Sequence, residues 1–298
     1  MRTRTSSLVL LALGCFASNS LLCRAALGAG LLDPWTFTGV RLASGAIVLA
    51  LILAARSRTS LAANPAAAAV TSWPSPSPSP SPSSAGSWLS AGALFGYAIA
   101  FSLAYVRIGA GPGALLLFGS VQVTMIGRSI HQGHWPRPRE WAGLGLAFGG
   151  LVALLLPGAR APDLTGAALM LLAGVGWGAY SLHGRATTDP LATNASNFLR
   201  CAPLALACAA FGATLHPLQA RGLLLAVASG ALASGVGYSI WYAALPHLTR
   251  SRAAILQLAV PPLTAVAATL LLGEAPSLRL VLCGVAVLSG VALASFQR

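Results

Sequence analysis

Gly133-His134-Trp135-Pro136-Arg137-Pro138-Arg139 and Gly273-Glu274-Ala275-Pro276-Ser277-Leu278-Arg279 share Gly, Pro and Arg in the same spacing, 140 positions apart. Working outward, Ser20-Leu21-x-x-Arg24-Ala25 returns as Ser181-Leu182-x-x-Arg185-Ala186. Gly92-Ala93-Leu94 matches Gly230-Ala231-Leu232, Gly150 matches Gly290, and Asp33-Pro34 matches Asp189-Pro190. A repeat of this length is a duplicated domain, here with halves at 1–160 and 161–298.

What surrounds the repeated motifs is almost all apolar. Hydrophobic residues make up 56% of the chain, charged residues 8%, and the mean hydropathy is +0.76. A soluble domain carries about 25% charged residues. A window of about 19 residues yields ten apolar segments: Ser7–Leu22, Pro34–Ala54, Trp88–Val106, Gly113–Ile130 and Trp141–Leu156 in the first half, then Leu164–Leu182, Leu191–Gly212, Gly222–Ala243, Ala253–Gly273 and Leu278–Phe296. The runs are continuous rather than alternating, which favours helices over a barrel. The expected fold is therefore an all-α membrane protein of ten transmembrane helices. Five helices per half means that the second copy enters the membrane from the opposite side, so the repeats are inverted.

The net charge of +13 comes from 18 arginines against five acids. They are scattered singly between apolar segments, so positive-inside orientation explains them better than nucleic-acid binding. With both termini cytoplasmic, eleven arginines fall inside and five outside, leaving Arg41 and Arg200 within the membrane. Arg2, Arg4 and the apolar run after them resemble a signal peptide. Cleavage there would break the repeat, so the segment reads as the first helix. The cysteines (Cys15, Cys23, Cys201, Cys208, Cys283) form no CxxC pair, which predicts packing residues rather than disulfides or a metal site. Between the second and third segments, in a loop of about 56–87, Trp73-Pro74 leads into alternating Ser-Pro through Pro82. That composition favours an extended, solvated tether, with a docking site for a signalling domain as the competing reading. Gly92-x-x-x-Gly96, Gly145-x-x-x-Gly149 and Gly174-x-x-x-Gly178 predict close helix approach.

Several stretches carry a family likeness. They are Asn19 through Arg41, Ala114-Leu115-Leu116-Leu117-Phe118, Gly174-Val175-Gly176-Trp177-Gly178-Ala179-Tyr180-Ser181, Gly237-Tyr238-Ser239-Ile240-Trp241-Tyr242-Ala243-Ala244-Leu245, and Leu271-Leu272-Gly273-Glu274-x-Pro276. With these the chain resembles the EamA family of the drug/metabolite transporter superfamily, over nearly its whole length except the Ser-Pro tract. The resemblance implies a ten-helix inner-membrane permease with an alternating-access pathway between the halves, and says little about substrate. One departure stands out: His134 occupies the place of the family's acid, which the second half keeps as Glu274.

Polar groups inside hydrocarbon are costly and tend to face the bundle interior or a wet cavity. Eight residues past Asp33, Arg41 lies roughly 12 Å into its helix at 1.5 Å per residue, and repeat symmetry places Arg200 at a similar depth from the other face. Each can grip a substrate carboxylate or phosphate, or snorkel and cap carbonyls. Asn19 and Tyr180 correspond across the repeat and, with Gln122, Asn197 and Gln257, supply neutral hydrogen-bonding groups that serve either substrate or helix contacts. Trp177 and Tyr97 join the candidate substrate pathway. Tyr238, Trp241 and Tyr242, at i, i+3 and i+4, share one helical face, which either lines a cavity or sits in an interfacial belt. Pro261-Pro262 interrupts the ninth segment, as a hinge or as a static kink.

No Asp or Glu maps to mid-membrane, so proton coupling through a buried carboxylate lacks a carrier. Without a P-loop, ATP is not the expected energy source. No HExxH motif and no catalytic serine motif suggest an intramembrane enzyme. The expectation is a secondary transporter, without cofactor or metal, moving a small-molecule solute such as an amino acid or related metabolite across the lipid bilayer, in the export direction. A non-transporting scaffold or sensor is the alternative, and homodimerisation is left open.

Overall fold

The turn after Leu272 explains the repeated glycine. In the computed structural model, which describes residues 2–63, 86–133, 135, 137–156, 162–184, 187–248, 256–257 and 259–295, Gly133 has φ +82° and Gly273 φ +68°. Both follow a helix in left-handed backbone, where a Cβ adds strain and glycine closes the helix at little cost. The repeated aspartates are likewise structural. Asp33 Oδ1 accepts from Thr36 N at 2.9 Å, and Asp189 Oδ1 accepts from Ala192 N at 3.1 Å. Pro34 and Pro190 follow each cap at the first helical position, where an N–H is not needed.

Among the described residues the chain has ten helical segments and no strand. They are α1 (Arg2–Leu27), α2 (Pro34–Ala63), α3 (Trp88–Tyr105), α4 (Ala110–His131), α5 (Pro138–Leu155), α6 (Leu164–Gly184), α7 (Pro190–Ala213), α8 (Ala220–His247), α9 (Val260–Leu272) and α10 (Leu278–Ser295). The helix α8 is composite: α-helical over Ala220–Ala228, π-helical over Ser229–Val236, α-helical again over Gly237–Ala244, then a 3-10 turn at Leu245–His247.

Among the described residues, seven helices are long and apolar enough to cross a membrane; Trp141–Leu154, Val260–Leu272 and Leu278–Gly290 are shorter. The expected count of ten full crossings is therefore met only in part. For α9 the physical cause is the proline pair. Pro261 and Pro262 occupy its first turn, and Ala259 before it lies in a turn, so this helix starts at Val260. Most of the Ser-Pro loop (64–85), His134, Pro136, Arg160, Arg185, Arg250, Arg252 and Arg298 lie outside the described residues.

Glycines set how closely the helices pack. A Cβ on Gly39 would stand 2.4 Å from Ala205 O, which fixes α2 against α7. Gly150 meets Cys283 O and Ala286, while Gly290 meets Gly143 O and Ala147, so α5 and α10 press together through both members of that repeated pair. Of the three spaced glycine motifs, Gly174 and Gly178 pack tightly, against Leu117, Ser120 and Thr124 of α4. Gly92, Gly96, Gly145 and Gly149 face open space. Large apolar side chains such as Leu51, Leu224 and Leu270 point outward, as a lipid-facing surface requires.

Ion pairs tie helix ends together. Arg24 Nε reaches Glu274 Oε1 at 2.7 Å, Arg56 reaches Asp189 Oδ2 at 3.1 Å, and Arg107 reaches Asp163 Oδ1 at 3.7 Å. Glu274 also accepts from Ala110 N at 2.7 Å, capping α4 with its second oxygen.

Candidate functional site

A buried polar knot forms where α1, α2, α3 and α8 meet. Its centre is Arg41, which is 1% exposed. Its Nη2 donates to Tyr238 Oη at 2.7 Å and to Tyr97 Oη at 3.0 Å, and its Nε donates to Ser234 Oγ at 3.0 Å. Asn19 Nδ2 donates to the same two phenol oxygens, at 3.1 Å to Tyr97 and 3.4 Å to Tyr238. Ser229 Oγ donates to Asn19 Oδ1 at 2.6 Å. The guanidinium lies over the rings of Tyr97 and Phe101, 5.2 and 5.0 Å from their centroids.

Local structure explains how α8 contributes three groups to this knot. The π-helical stretch Ser229–Val236 adds a residue per turn locally and so changes which face its side chains present. Ser229, Ser234 and Tyr238 then all turn toward α1 and α2. Gly230 permits the approach, since a Cβ there would fall 2.0 Å from Arg41 O.

Among the described residues the charge of Arg41 has no carboxylate partner. None of the three ion pairs among the described residues includes it. Asp33, Asp163, Asp189 and Glu274 all sit at helix ends and serve as caps or surface pairs. Glu140 lies in the first turn of α5. A buried cation costs several kcal/mol unless neighbours solvate it. Here neutral hydroxyls and aromatic faces do so, and incompletely: Arg41 Nη1 has no hydrogen-bond partner among the described residues.

Beside the knot lies an aromatic box. Trp177 and Tyr238 rings are 4.5 Å apart, and Phe16 packs edge-on against Trp177, Tyr238 and Trp241 at 5.4 to 5.9 Å. Trp177 Nε1 donates to Gln257 Oε1 at 3.3 Å. Phe16, Asn19, Tyr97, Phe101, Trp177 and Tyr238 enclose a cavity of about 10 Å³, room for roughly one water molecule.

The candidate residues read from sequence thus divide. Asn19, Arg41, Tyr97 and Tyr238 form the knot, with Trp177, Trp241 and Gln257 in the adjoining box. Tyr180 and Tyr242 form a second cluster: their rings stack at 5.3 Å, Tyr242 Oη donates to Tyr180 O at 3.0 Å, and Tyr180 Oη donates to Asn194. Gln122 is buried in α4. Asn197 and Arg200, both on α7, pack against the start of α3 instead. Asn197 Oδ1 accepts from Ser87 N at 3.1 Å, and Arg200 lies half-buried over the Trp88 ring while donating to Ser196. The two membrane arginines therefore occupy different surroundings, despite corresponding roughly in the repeat. Pro261 is buried and Pro262 exposed. Ser229, Ser234 and Asn194 were not singled out from sequence. The run Ser229-Gly230-Ala231-Leu232-Ala233-Ser234-Gly235, rich in small polar residues, is the signal that marks the first two.

Comparison with known proteins places the chain in context. The model of the EamA-like transporter family matches residues 164–296. The uncharacterized protein PA1977 of Pseudomonas aeruginosa is 48% identical over 291 residues, covering 97% of this chain and 94% of its own length. A protein of known crystal structure superposes with a TM-score of 0.61 over 99% of this chain and 97% of its own, at 20% identity, a likeness of fold alone. With its multiple apolar helices, this multi-pass membrane protein belongs to the EamA-like transporter family.

Proposed function

We propose that the protein is a secondary transporter of a small organic solute, an amino acid or related metabolite, working as an exporter in the inner membrane with both termini cytoplasmic. The observation that carries this reading is the knot itself. It is a fully buried cation, ringed by hydroxyls and aromatic faces, at the contact between helices of the first half (α1, α2, α3) and α8 of the second. Polar groups at membrane depth are costly unless they serve a pathway or a helix contact.

The helix pairing supports two inverted five-helix halves, 1–160 and 161–298. The contacts α2 with α7 and α5 with α10 join corresponding helices, and α3 on α6 is mirrored by α8 on α1. The ion pairs fit the same topology, since Arg24 with Glu274 and Arg107 with Asp163 join segments expected outside, and Arg56 with Asp189 joins segments expected inside. Alternating access then means parting these contacts at one end and re-forming them at the other. With the described acids all at helix ends, facilitated exchange or uniport is the expected mode, or coupling through an interfacial acid.

Flux of amino acids and related metabolites into proteoliposomes tests this reading. Uptake that Arg41→Ala abolishes would support it. Purified, folded protein that moves no solute from such a panel would end it. Tags on the two termini that report opposite sides of the membrane would overturn the inverted arrangement.

A further inference from the structure

We infer that the solute carries a carboxylate and an apolar body, and that the carboxylate docks on Arg41 Nη1. This rests on the transporter reading and narrows its substrate class.

Proton bookkeeping within the knot carries the inference. The phenol oxygen of Tyr97 already accepts from Arg41 and Asn19, and so does that of Tyr238. Each has two lone pairs, so both are filled by these donors. The two hydroxyls also stand 3.0 Å apart, and Ser234 Oγ lies 3.4 Å from that of Tyr238. Both protons of Arg41 Nη1, in contrast, lack an acceptor among the described residues. The neighbouring oxygens already have donors of their own: Asn19 Oδ1 takes the Ser229 hydroxyl, and Ser234 Oγ takes Arg41 Nε. The knot is thus rich in donors and holds a net positive charge that no acid in the described residues neutralises.

A group with several lone pairs and a negative charge answers both deficits together. Charge-assisted bonds from a guanidinium to a carboxylate are about twice as strong as neutral ones, and the planar fork suits two oxygens. An amine meets the opposite situation, since another cation beside Arg41 finds no carboxylate. The walls next to the knot are the rings of Phe16, Trp177 and Trp241, which suit an apolar or aromatic body.

The test is thermal stabilisation of the purified full-length protein by matched probes at constant ionic strength. Phenylacetate is compared with phenylacetamide and phenethylamine, and 4-methylpentanoate with its amide. The expected result is that a carboxylate raises Tm while its amide and the amine do not. Arg41→Gln is expected to remove the response, and Arg107→Gln, at a surface pair, to keep it. If Arg41→Gln does not fold, Arg41→Lys keeps the charge without the fork, and the half-saturating concentration should rise several-fold. Equal stabilisation by the amides, no stabilisation by either carboxylate, or an unchanged response in the Arg41 variant would each overturn the inference. Proteoliposomes that carry an amine but neither carboxylate would end this inference and leave the transporter reading standing. Carboxylates that bind through Arg41 without any flux would do the reverse.

Discussion

Tyr97 of α3 and Tyr238 of α8 bring their hydroxyls to 3.0 Å, and a single nitrogen, Arg41 Nη2, donates to both. Two tyrosines 141 positions apart are thereby held by one guanidinium from a third helix. Helices joined through so small a set of atoms can be probed one atom at a time.

Removing one hydroxyl is the mildest such change. Tyr97→Phe keeps the ring packing against Phe101 and Trp177 but leaves donors of Arg41 and Asn19 unmatched. A lost hydrogen bond to a charged group is worth about 1.5–3 kcal/mol. We expect flux to fall at least tenfold, and Tm in detergent to drop by a few degrees. Wild-type flux in Tyr97→Phe would separate the knot from transport.

Arg41→Met separates folding from function. Met gives up three hydrogen bonds to Tyr97, Tyr238 and Ser234 but also removes the desolvation cost of a buried charge, and the two effects offset each other. The variant is expected to insert, purify and melt within a few degrees of the wild-type temperature while losing flux. A variant that aggregates, with Tm well below wild type, would show the arginine to be a structural pin.

Glu274 joins three elements, through Arg24 of α1, its own position after α9, and the N-terminus of α4. Both side chains of the ion pair are about a quarter exposed (24% and 25%), so the pair itself contributes modestly. Losing the cap as well makes Glu274→Ala cost about 1–3 kcal/mol. In a double-mutant cycle with Arg24→Ala, the two losses should fall short of additive. Strict additivity in thermal denaturation would mean that the contact carries no coupling.

Glycines discriminate tight from loose contacts. Gly230→Ala places a Cβ 2.0 Å from Arg41 O and must push α8 away from α2, costing about 1–3 kcal/mol. Gly92→Ala and Gly145→Ala enter open space and should be neutral or stabilising by about 0.5–1 kcal/mol, the gain in helix propensity. Melting curves that rank these variants in the opposite order would contradict the packing of α8 on α2.

How far the sequence foretold this arrangement follows from what each residue needs. Gly273 and Asp189 act on backbone within a few positions, so the repeat paired them with Gly133 and Asp33, while their work as turn glycines and caps emerged only in the structure. Arg41 was conspicuous because a charge inside an apolar run is rare. Its partners were not legible as partners, since Ser234 and Tyr238 lie 193 and 197 positions away. Their facing depends on the π-helical stretch, and a helix phase of 3.6 residues per turn carried through Ser229–Val236 assigns the wrong side. The same limit explains the glycine motifs: spacing reveals a smooth face, and only the neighbour's position decides whether Gly174 is used and Gly92 is not. Corresponding places in a duplicated chain also diverge, as Arg200 beside Trp88 does from Arg41.

The void beside Trp177 has space for one water and no more. An organic cargo that docks beside the knot must therefore prise Phe16 and α1 from α8 before it can settle, and that widening is charged against its affinity. Weak equilibrium binding with a steep dependence on temperature is the expected signature. The tightest inhibitors would be bulky compounds that wedge the protein in its parted form, rather than faithful copies of the cargo.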